Sequence, residues 1–508
     1  MANVVFLAIF FHLMLSTNRL LADADTGWHI RTGDVILKTL SVPRYDPFSF
    51  LAPPLPWIAH AWLPEVIMAI VHRLFGLTGI VVFFSSVIAF VYYVLFRILQ
   101  TKHDILLTTV IFGLVATSSA PHWLARPHIF SIGFTVATSY LLSNYQYHNK
   151  NYLYLLPVIM FFWVNSHAAF IIGFLLMAIY FSGNLLTLLM AQNSRITEAR
   201  AKAFALGLTL ACCLVTSLLN PYGYRILLFP FQLTSERFLM DYIVEYLSPN
   251  FHDLMPFRYL LFLSIAILAL SRSRLDIIQL MLVLVFTHLA LYSVRHILLY
   301  AIIVAPILLD QAQLLLEGAK GKWVDFFKER SAAISLADSR SKGYLCTISA
   351  VAFVCLLAAS GKLDFKFSEK TRPVAAVEFL KNENLKGNMF SNMSFGDYVI
   401  YAAWPQYKVF VDGRVDMYGS NLMLEHGEIL SLRPTWRSLL DKYNINWVFD
   451  RANSPLSLLL LERGDWKLIY SDKVANIFLR NTLENQPVID KFRNVKPFCA
   501  RDNGDAPT

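Results

Sequence analysis

The stretch LLADADTGWHIRTGD, residues 20–34, follows an apolar run that covers residues 3–21. It places Asp23 and Asp25 one residue apart, and Trp28, His29 and Arg31 come closely behind them. The run is long enough for a short membrane span, so the chain is expected to leave a membrane here. Ionisable residues at the ends of spans usually mark a functional site. The carboxylate pair beside a histidine and an arginine is therefore the first candidate for chemistry.

The composition as a whole indicates a protein that crosses the membrane many times. Of the 508 residues, 56% are hydrophobic and only 16% are charged, whereas soluble domains carry roughly 25% charged residues. Most hydrophobic residues gather in runs of roughly 15–23, the length that crosses about 30 Å of hydrocarbon. These runs predict an α-helical polytopic membrane protein with about 11 transmembrane helices.

The charge of the chain does not indicate a nucleic-acid partner. The net charge is +9, but most lysines and arginines lie in short loops between the apolar runs, where they set the topology. Five cysteines, four of them within apolar runs, predict no disulfide framework. The N-terminal run lacks a basic start and a clear cleavage site, so we expect a span there and not a signal peptide.

Orientation and domain organisation follow from the loops. Lysine and arginine are denser in one set of loops, which is expected to face the cytoplasm. Loops 23–62 and 220–256, and everything after residue 361, then lie outside the inner (plasma) membrane, with the N-terminus inside. We expect a transmembrane domain over residues 1–361, an extracytoplasmic α/β domain over residues 362–490 and a flexible tail over residues 491–508.

Beyond residue 362 the pattern is that of a small soluble domain. GNMFSN, YKVFVDG and INWVFD predict strands that alternate with helical segments, and WKLIYSDKVANIFLRN predicts a hairpin. In SNMSFGDY, Ser394 is expected to cap a helix, with Asp397 reaching back to the start of that helix.

Five separate junctions on the predicted outer side carry polar or ionisable residues. Each one alone could simply cap a span, but five on one side indicate a shared polar site. Its members outside the opening stretch are His60, Glu65, Arg126, His128, Asn165, His167, Asn220, Tyr222, Glu245, Arg295 and His296. A carboxylate can act as general base toward a hydroxyl, and arginine or histidine can hold a phosphate. Together they suit transfer from a lipid phosphate to a hydroxyl acceptor.

The Asp23–Asp25 pair could also bind a divalent cation such as Mg²⁺ or Mn²⁺ through its oxygens. That signal is weak, because two aspartates in a loop are often only solvated. Both readings of the pair stay open from the sequence.

On these residues the chain resembles the GT-C glycosyltransferases, membrane enzymes that use polyprenyl-phosphate sugars or related lipid-linked donors. The resemblance rests on DADTGWHIRTGDVILKTLSVPRYDPFSF and WIAHAWLPEVIMAIVHRLFG in the first outer loop. It extends through ARPHIFS, FWVNSHAAF, LLNPYGYRIL and VRHILLY into NMSFGDYVIYAAWPQYKVFVDGRVDMYG. It implies a GT-C-like bundle with a catalytic or metal-binding carboxylate just after the first span.

Two alignments of that carboxylate compete. The aspartate–glutamate pair of aminoarabinose and protein mannosyl transferases falls on Asp23 and Ala24, where the second acid is missing. The DPYxNYR-like stretch of oligosaccharyltransferases places its aspartate on Asp25 and its arginine on Arg31. The tryptophan-rich WWD motif of that enzyme has no counterpart here. Asp25 is favoured as the base, and Asp23 remains a partner or alternative.

The sequence therefore predicts a membrane glycosyltransferase for hexosyl or pentosyl transfer from a polyprenyl-phosphate donor. The acceptor would be a glycan, lipid or protein at the outer membrane face, in contact with membrane lipid and without nucleic acid. Arg126, His128, Arg295 and His296 would bind the donor phosphate. The substrate-orienting candidates are His29, Arg31, His60, Glu65, Asn165, His167, Asn220, Tyr222, Glu245, Asp412 and Arg414.

Two other classes of function remain as alternatives. One is a transporter or flippase for a lipid or solute, although such proteins usually show a repeat and polar groups near the membrane midplane. The other is a non-catalytic membrane assembly protein whose outer domain recruits partners.

Overall fold

A computed structural model describes residues 1–16, 19–190 and 194–498. Part of the predicted flexible tail, residues 499–508, lies outside the described residues, as does Cys499. The chain divides into two compact units. Unit 1 comprises Met1–Leu20, Leu74–Gln232 and Met240–Asp364, and unit 2 comprises Leu21–Arg73, Leu233–Leu239 and the residues from Phe365 onward.

Unit 1 is helical. Its helices, some of which continue into segments of unit 2, are α1 (Ala2–Leu15), α3 (Trp62–Gln100), α4 (Ile105–Ser119), α5 (His128–His148), α6 (Leu155–Val164), α7 (Ile171–Met190), α8 (Ser194–Thr216), α9 (Arg225–Ser235), α10 (Arg237–Tyr242), α11 (Pro256–Leu270), α12 (Ile277–Tyr292), α13 (Ile297–Gly318), α14 (Lys322–Arg340) and α15 (Gly343–Ala359). The sequence between them is rich in prolines and polar residues that end helices.

Within the described residues, five helices are long and apolar enough to cross a membrane, or six if one bent pair is a single span. The five cover Trp62–Gln100, Ile105–His122, Ala168–Met190, Ile196–Thr216 and Val294–Gly318. Four further apolar helices are only 10–17 residues long. A multi-pass membrane protein is therefore supported, but the predicted number of about 11 spans is not confirmed, because several apolar runs form helices shorter than a bilayer requires.

The core of unit 1 lies around α13. In its most apolar stretch 78% of the residues are buried, against 28–50% in the other candidate spans. Close packing elsewhere depends on small residues, as is common between membrane helices. A Cβ at Gly183 of α7 would lie 2.3 Å from the Ile278 side chain of α12, so only glycine permits this approach.

Unit 2 contains a four-stranded sheet with strand order β1-β2-β4-β3. The first pair, β1 (Asn388–Ser391) and β2 (Ile445–Arg451), is parallel, whereas β3 (Trp466–Ser471) and β4 (Ala475–Arg480) form the predicted antiparallel hairpin. The helices of unit 2 are α2 (Asp25–Thr39), α16 (Val374–Glu383), α17 (Met393–Ala403), α18 (Val415–Leu430), α19 (Trp436–Lys442), α20 (Pro455–Leu461) and α21 (Gln486–Lys491).

Two local predictions in this region were wrong. YKVFVDG forms no strand of the sheet, because Val409 instead exchanges backbone hydrogen bonds with Phe48 and Phe50 in the loop before α3, each 3.1 Å long. The cap of α17 is Asn392, whose side chain accepts from Phe395 N at 3.1 Å. Ser394 lies inside that helix, and its hydroxyl accepts from Arg372.

The opening stretch forms α2, and two glycines let it pack closely inside unit 2. A Cβ at Gly27 would lie 2.7 Å from Tyr401 Cβ on α17. A Cβ at Gly33 would lie 1.9 Å from the carbonyl oxygen of Glu65, in the first turn of α3. The sequence TGWHIRTG thus fixes α2 against two other helices, and this fixes the position of Asp25 at its start.

Candidate functional site

The two aspartates of the opening stretch occupy different positions. Asp23 Oδ1 accepts the backbone N–H of Asp25 at 3.0 Å, just before the N-cap residue Ala24. Asp25 is the first residue of α2 and is 9% exposed. Its Oδ1 lies 2.2 Å from where a Cβ on Gly413 would be. Asp23 therefore supports the helix start, and the Asp25 carboxylate faces the backbone of Gly413.

A second carboxylate, Asp397, approaches the same glycine. Its Oδ1 accepts the N–H of Gly413 at 2.7 Å and lies 3.2 Å from the same Cβ position. Burial raises the pKa of Asp397 well above its ordinary value, and the charges of Asp25 and Asp412 raise it further. Asp397 therefore keeps its proton where an ordinary aspartate is ionised. The result is a pair of carboxylates in contact with one glycine.

Sequence reasoning assigned Asp397 only a capping role and missed its place beside Asp25. The signal was present, since α17 reads MSFGDYVIYAA and Asp397 is buried among Phe395, Val399 and Ile400. A buried aspartate on the apolar face of a helix needs a partner or a function.

Arg372 is the second residue that the sequence did not reveal. It is 7% exposed and donates hydrogen bonds to the carbonyl of Ala22 and the hydroxyl of Ser394. Burial lowers the pKa of Arg372, while Asp397, Asp23 and Asp25 act in the opposite direction. One buried cation therefore compensates part of the negative charge of this carboxylate cluster, which comprises Asp23, Asp25 and Asp397.

Other predicted residues of the first loop support α2. His29 Nδ1 and Glu65 Oε1 are 2.8 Å apart and almost fully enclosed, and the His29 ring lies 3.6 Å from the Trp28 ring. Arg31 donates to the carbonyl of Tyr401 at 2.7 Å. His60 is half-buried in the segment before α3.

Asp412 and Arg414 lie inside a buried ion-pair network. Arg414 is 1% exposed and donates to both oxygens of Asp412, at 2.8 and 2.6 Å, and to Asp46 Oδ1 at 2.7 Å. Its guanidinium lies over the rings of Phe48 and Trp57, at 4.8 and 4.5 Å from the centroids. Because these groups are enclosed, the contact between Arg414 and Asp46 holds the first loop against the segment 412–414.

The predicted phosphate-binding residues are in unit 1. Arg126 Nη1 donates to Glu245 Oε1 at 2.9 Å, and Arg295 Nη1 donates to the Tyr246 hydroxyl at 2.6 Å. Burial alone would raise the pKa of Glu245, but Arg126 and Arg295 outweigh it and lower the pKa to about 2. The two arginines thus converge on residues 245–246, and Glu245 stays ionised between them.

The histidines of this cluster bind backbone groups. His128 Nε2 lies 2.7 Å from the carbonyl of His122, and His122 Nε2 lies 3.2 Å from the carbonyl of Val294, next to Arg295. His296 follows at the start of α13. The His128 and His167 rings are 6.4 Å apart. The basic cluster of unit 1 is therefore Arg126, Arg295 and these histidines, His122, His128, His167 and His296.

Three of the predicted residues make contacts typical of turns. Asn165 Nδ2 donates to the carbonyls of Phe161 and Leu219. Asn220 Oδ1 accepts the N–H of Tyr222 at 2.7 Å. These hydrogen bonds position the ends of α6 and α8, and the sequence alone could not separate this role from substrate contact.

The Mg²⁺ or Mn²⁺ site considered from the sequence has no full set of ligands among the described residues. Among the described residues, no group of three or more His, Cys, Asp or Glu side chains is placed to hold a metal ion. Asp25 and Asp397 offer oxygen donors of the type these ions prefer. Arg372 contributes a positive charge beside them.

The fold matches solved archaeal oligosaccharyltransferases. One is the Archaeoglobus fulgidus enzyme in the apo form, with a TM-score of 0.53, 10% identity, and coverage of 94% of this chain and 75% of that chain. Another is AglB from Archaeoglobus fulgidus in complex with an inhibitory peptide and a dolichol-phosphate, with a TM-score of 0.54, 11% identity and coverage of 94% and 74%. No protein-family model matches the sequence, and no curated protein sequence does.

AglB is a glycosyltransferase of the GT-C superfamily. The predicted GT-C fold is therefore confirmed by structure, at an identity far too low for ordinary sequence comparison.

Proposed function

We propose that this protein is a GT-C glycosyltransferase that moves a sugar from a polyprenyl-phosphate donor to a hydroxyl acceptor at the outer membrane face. The observation that carries the proposal is the placement of the Asp25 and Asp397 carboxylates against Gly413, at the start of α2. The shared fold with AglB, whose structure holds a dolichol-phosphate, supports the donor class.

In this proposal Asp25 is the general base. Its ionised carboxylate takes the proton of the acceptor hydroxyl while that oxygen attacks the anomeric carbon of the sugar. The bond between that carbon and the phosphate oxygen breaks, and the electron pair leaves with the lipid phosphate. Asp397 keeps its own proton and limits the negative charge beside Asp25, and Arg372 holds the segment around Ala22.

The basic cluster of unit 1 is proposed to bind the donor phosphate. Arg126 and Arg295 carry fixed charges, and guanidinium groups suit phosphate oxygens in geometry and charge. Glu245 is paired with Arg126 and also feels the charge of Arg295. A phosphate would compete with Glu245 for Arg126, so donor binding is expected to loosen that ion pair.

The remaining predicted residues are proposed to hold the site in shape without touching the substrate. The His29–Glu65 pair and the Asp412–Arg414 pair hold α2 and the Gly413 segment in place. Asn165, Asn220 and Tyr222 shape the turns of unit 1. We further propose that the predicted orientation holds and that residues 362–490 belong to an extracytoplasmic domain, together with residues 21–73 of the same unit.

The test is a comparison of surface glycans and lipid-linked sugars, by mass spectrometry, in cells with and without the gene. Loss of one glycan together with accumulation of one lipid-linked sugar names acceptor and donor together. An unchanged glycan profile and an unchanged lipid-linked pool would contradict the proposal.

The basic cluster has its own test. Arg126→Gln should weaken donor use, seen as a raised KM for the accumulated lipid-linked sugar in membrane vesicles. Arg225→Gln, an exposed arginine at the start of α9, is the matched control. Equal KM values for the two variants would show that Arg126 does not bind the donor.

A further inference from the structure

Helix α14 lies between two apolar helices, α13 and α15. It follows α13 after residues 319–321 and precedes α15 after residues 341–342. Helix α13 belongs to a candidate span, and α14 and α15 meet at an angle of 63°. Because both links are short, α14 lies close to the end of α13 at Gly318 and to the start of α15 at Gly343.

One side of α14 is attached to the helices of unit 1. Ser331 is buried, and its hydroxyl accepts the N–H of Leu106 at 3.5 Å. Asp338 accepts from Gln100 Nε2 at 3.1 Å and from the amino group of Met1. These contacts fix the rotation of α14 about its own axis.

Another side of α14 carries an exposed stripe of aromatic and small residues with one arginine. The stripe consists of residues spaced three and four apart, which lie above one another on a helix: Trp323, Phe326, Arg330, Ala333 and Ala337. Trp323 is 85% exposed and Phe326 is 51% exposed. At 1.5 Å per residue the stripe is about 21 Å long.

The charges around the stripe are mostly positive. Residues 320–342 contain six basic and three acidic side chains: Lys320, Lys322, Lys328, Arg330, Arg340 and Lys342, against Asp325, Glu329 and Asp338. Arg330 is part of the stripe itself, and its guanidinium lies 5.1 Å from the Phe326 ring centroid. Asp325 and Glu329 lie to the side of the stripe, and Asp338 is engaged with Gln100.

We infer that α14 is an in-plane interfacial helix that binds anionic phospholipid. Trp323 and Phe326 insert at the boundary between headgroups and acyl chains, where aromatic residues are favoured. The lysines and arginines contact lipid phosphates, to which basic side chains near an anionic surface are attracted. Charge complementarity selects an anionic leaflet over a neutral one. This inference does not depend on the proposed enzymatic function.

The first experiment measures the depth of Trp323. Full-length protein is placed in nanodiscs of phosphatidylglycerol and phosphatidylcholine whose acyl chains carry bromine near the headgroup. The chain has ten tryptophans, so the difference in emission between the wild type and Trp323→Phe isolates this residue. Trp323 should be strongly quenched. If brominated lipid leaves the Trp323 emission unchanged, water or another protein covers the stripe. That result would overturn the inference.

The second experiment measures lipid class. The variant with Lys320, Lys322, Arg330 and Arg340 all changed to Gln should retain several-fold less phosphatidylglycerol on extraction, seen by native mass spectrometry. Asp325→Asn with Glu329→Gln is the matched charge control and should retain at least as much as the wild type. Equal retention by all three proteins would overturn the assignment to anionic lipid.

Discussion

At the scale of single residues, Asp23 and Asp25 differ in what surrounds them. Asp23 accepts the N–H of Asp25, whereas the Asp25 carboxylate lies against Gly413 and shares that glycine with Asp397. The alternating acids of DAD therefore provide one residue that supports the helix and one that faces a second carboxylate. The sequence alone could not make this distinction, because the facing groups are hundreds of residues away.

Replacing Gly413 by Ala should disrupt the carboxylate pair. The new Cβ would lie 2.2 Å from Asp25 Oδ1, so Asp25 or the backbone must move. We expect a loss of about 1–3 kcal/mol in the free energy of unfolding, as for an overpacked site, and loss of transfer. Gly427→Ala on α18, where nothing lies within 4 Å, is the control and should unfold no earlier than the wild type. Thermal unfolding in detergent compares them, and equal midpoints for Gly413→Ala and wild type would contradict the geometry.

Asp397 predicts a particular pH dependence of stability. The pKa of Asp397 in the folded protein is raised. The contribution of Asp397 to the free energy of unfolding is therefore fully present below the ordinary pKa of 3.8 and is lost as the pH rises through the raised pKa. Asp397→Asn cannot titrate, and its amide oxygen can still accept from Gly413. The unfolding temperature of Asp397→Asn, relative to that of the wild type, should therefore increase as the pH rises from 4 toward the pKa of Asp397 in the folded protein. A difference that is constant with pH would show that Asp397 ionises normally.

At the scale of elements, α2 depends on close contacts that only glycine allows. Gly33→Ala should destabilise the protein by about 1–3 kcal/mol, because the new Cβ would overlap the backbone of Glu65. Gly113→Ala in α4, where nothing lies within 4 Å, should be neutral or stabilise by about 0.5–1 kcal/mol. Denaturation midpoints of the two variants check this. Equal effects would mean that α2 does not pack on α3 as described.

The Arg414 network ties the first loop to the segment after Val409. Arg414→Met would leave the buried carboxylates of Asp412 and Asp46 without their cation, which costs about 3–5 kcal/mol. Arg437→Met, an exposed arginine over Trp436, is the control and should change the free energy of unfolding by less than about 0.5 kcal/mol. Chemical denaturation followed by near-UV circular dichroism compares them. A small effect of Arg414→Met would refute the network as a structural link.

Elements set by local pattern could be predicted, and elements set by distant partners could not. The hairpin of β3 and β4 and the helices α16, α18, α19 and α20 follow from alternation and helical periodicity, whereas α2 falls in a predicted loop and α21 was not predicted. YKVFVDG has the pattern of a strand, yet Val409 pairs with Ser49 and its neighbours. Asn392 outcompetes Ser394 as the cap because it stands directly before the helix, which begins at Met393.

At the scale of the whole molecule, composition predicted a multi-pass membrane protein and motifs predicted the GT-C fold. The grouping of residues 21–73 with the residues from 365 onward was not visible in the sequence. It rests on contacts such as that between Arg372 and Ala22, which no local pattern encodes. The basic cluster of unit 1 was easier to predict, because basic residues at the ends of apolar runs stand out.

The central claim is that Asp25 is the base in transfer of a sugar from a lipid-phosphate donor. The most direct measurement is the amount of lipid-linked sugar, by mass spectrometry, in gene-deleted cells that carry Asp25→Asn, with Glu462→Gln, an exposed carboxylate, as control. The account predicts that Asp25→Asn protein reaches the membrane at the normal level while the lipid-linked sugar accumulates as in the deletion. Glu462→Gln should restore the normal pool. Full restoration by Asp25→Asn would contradict the account.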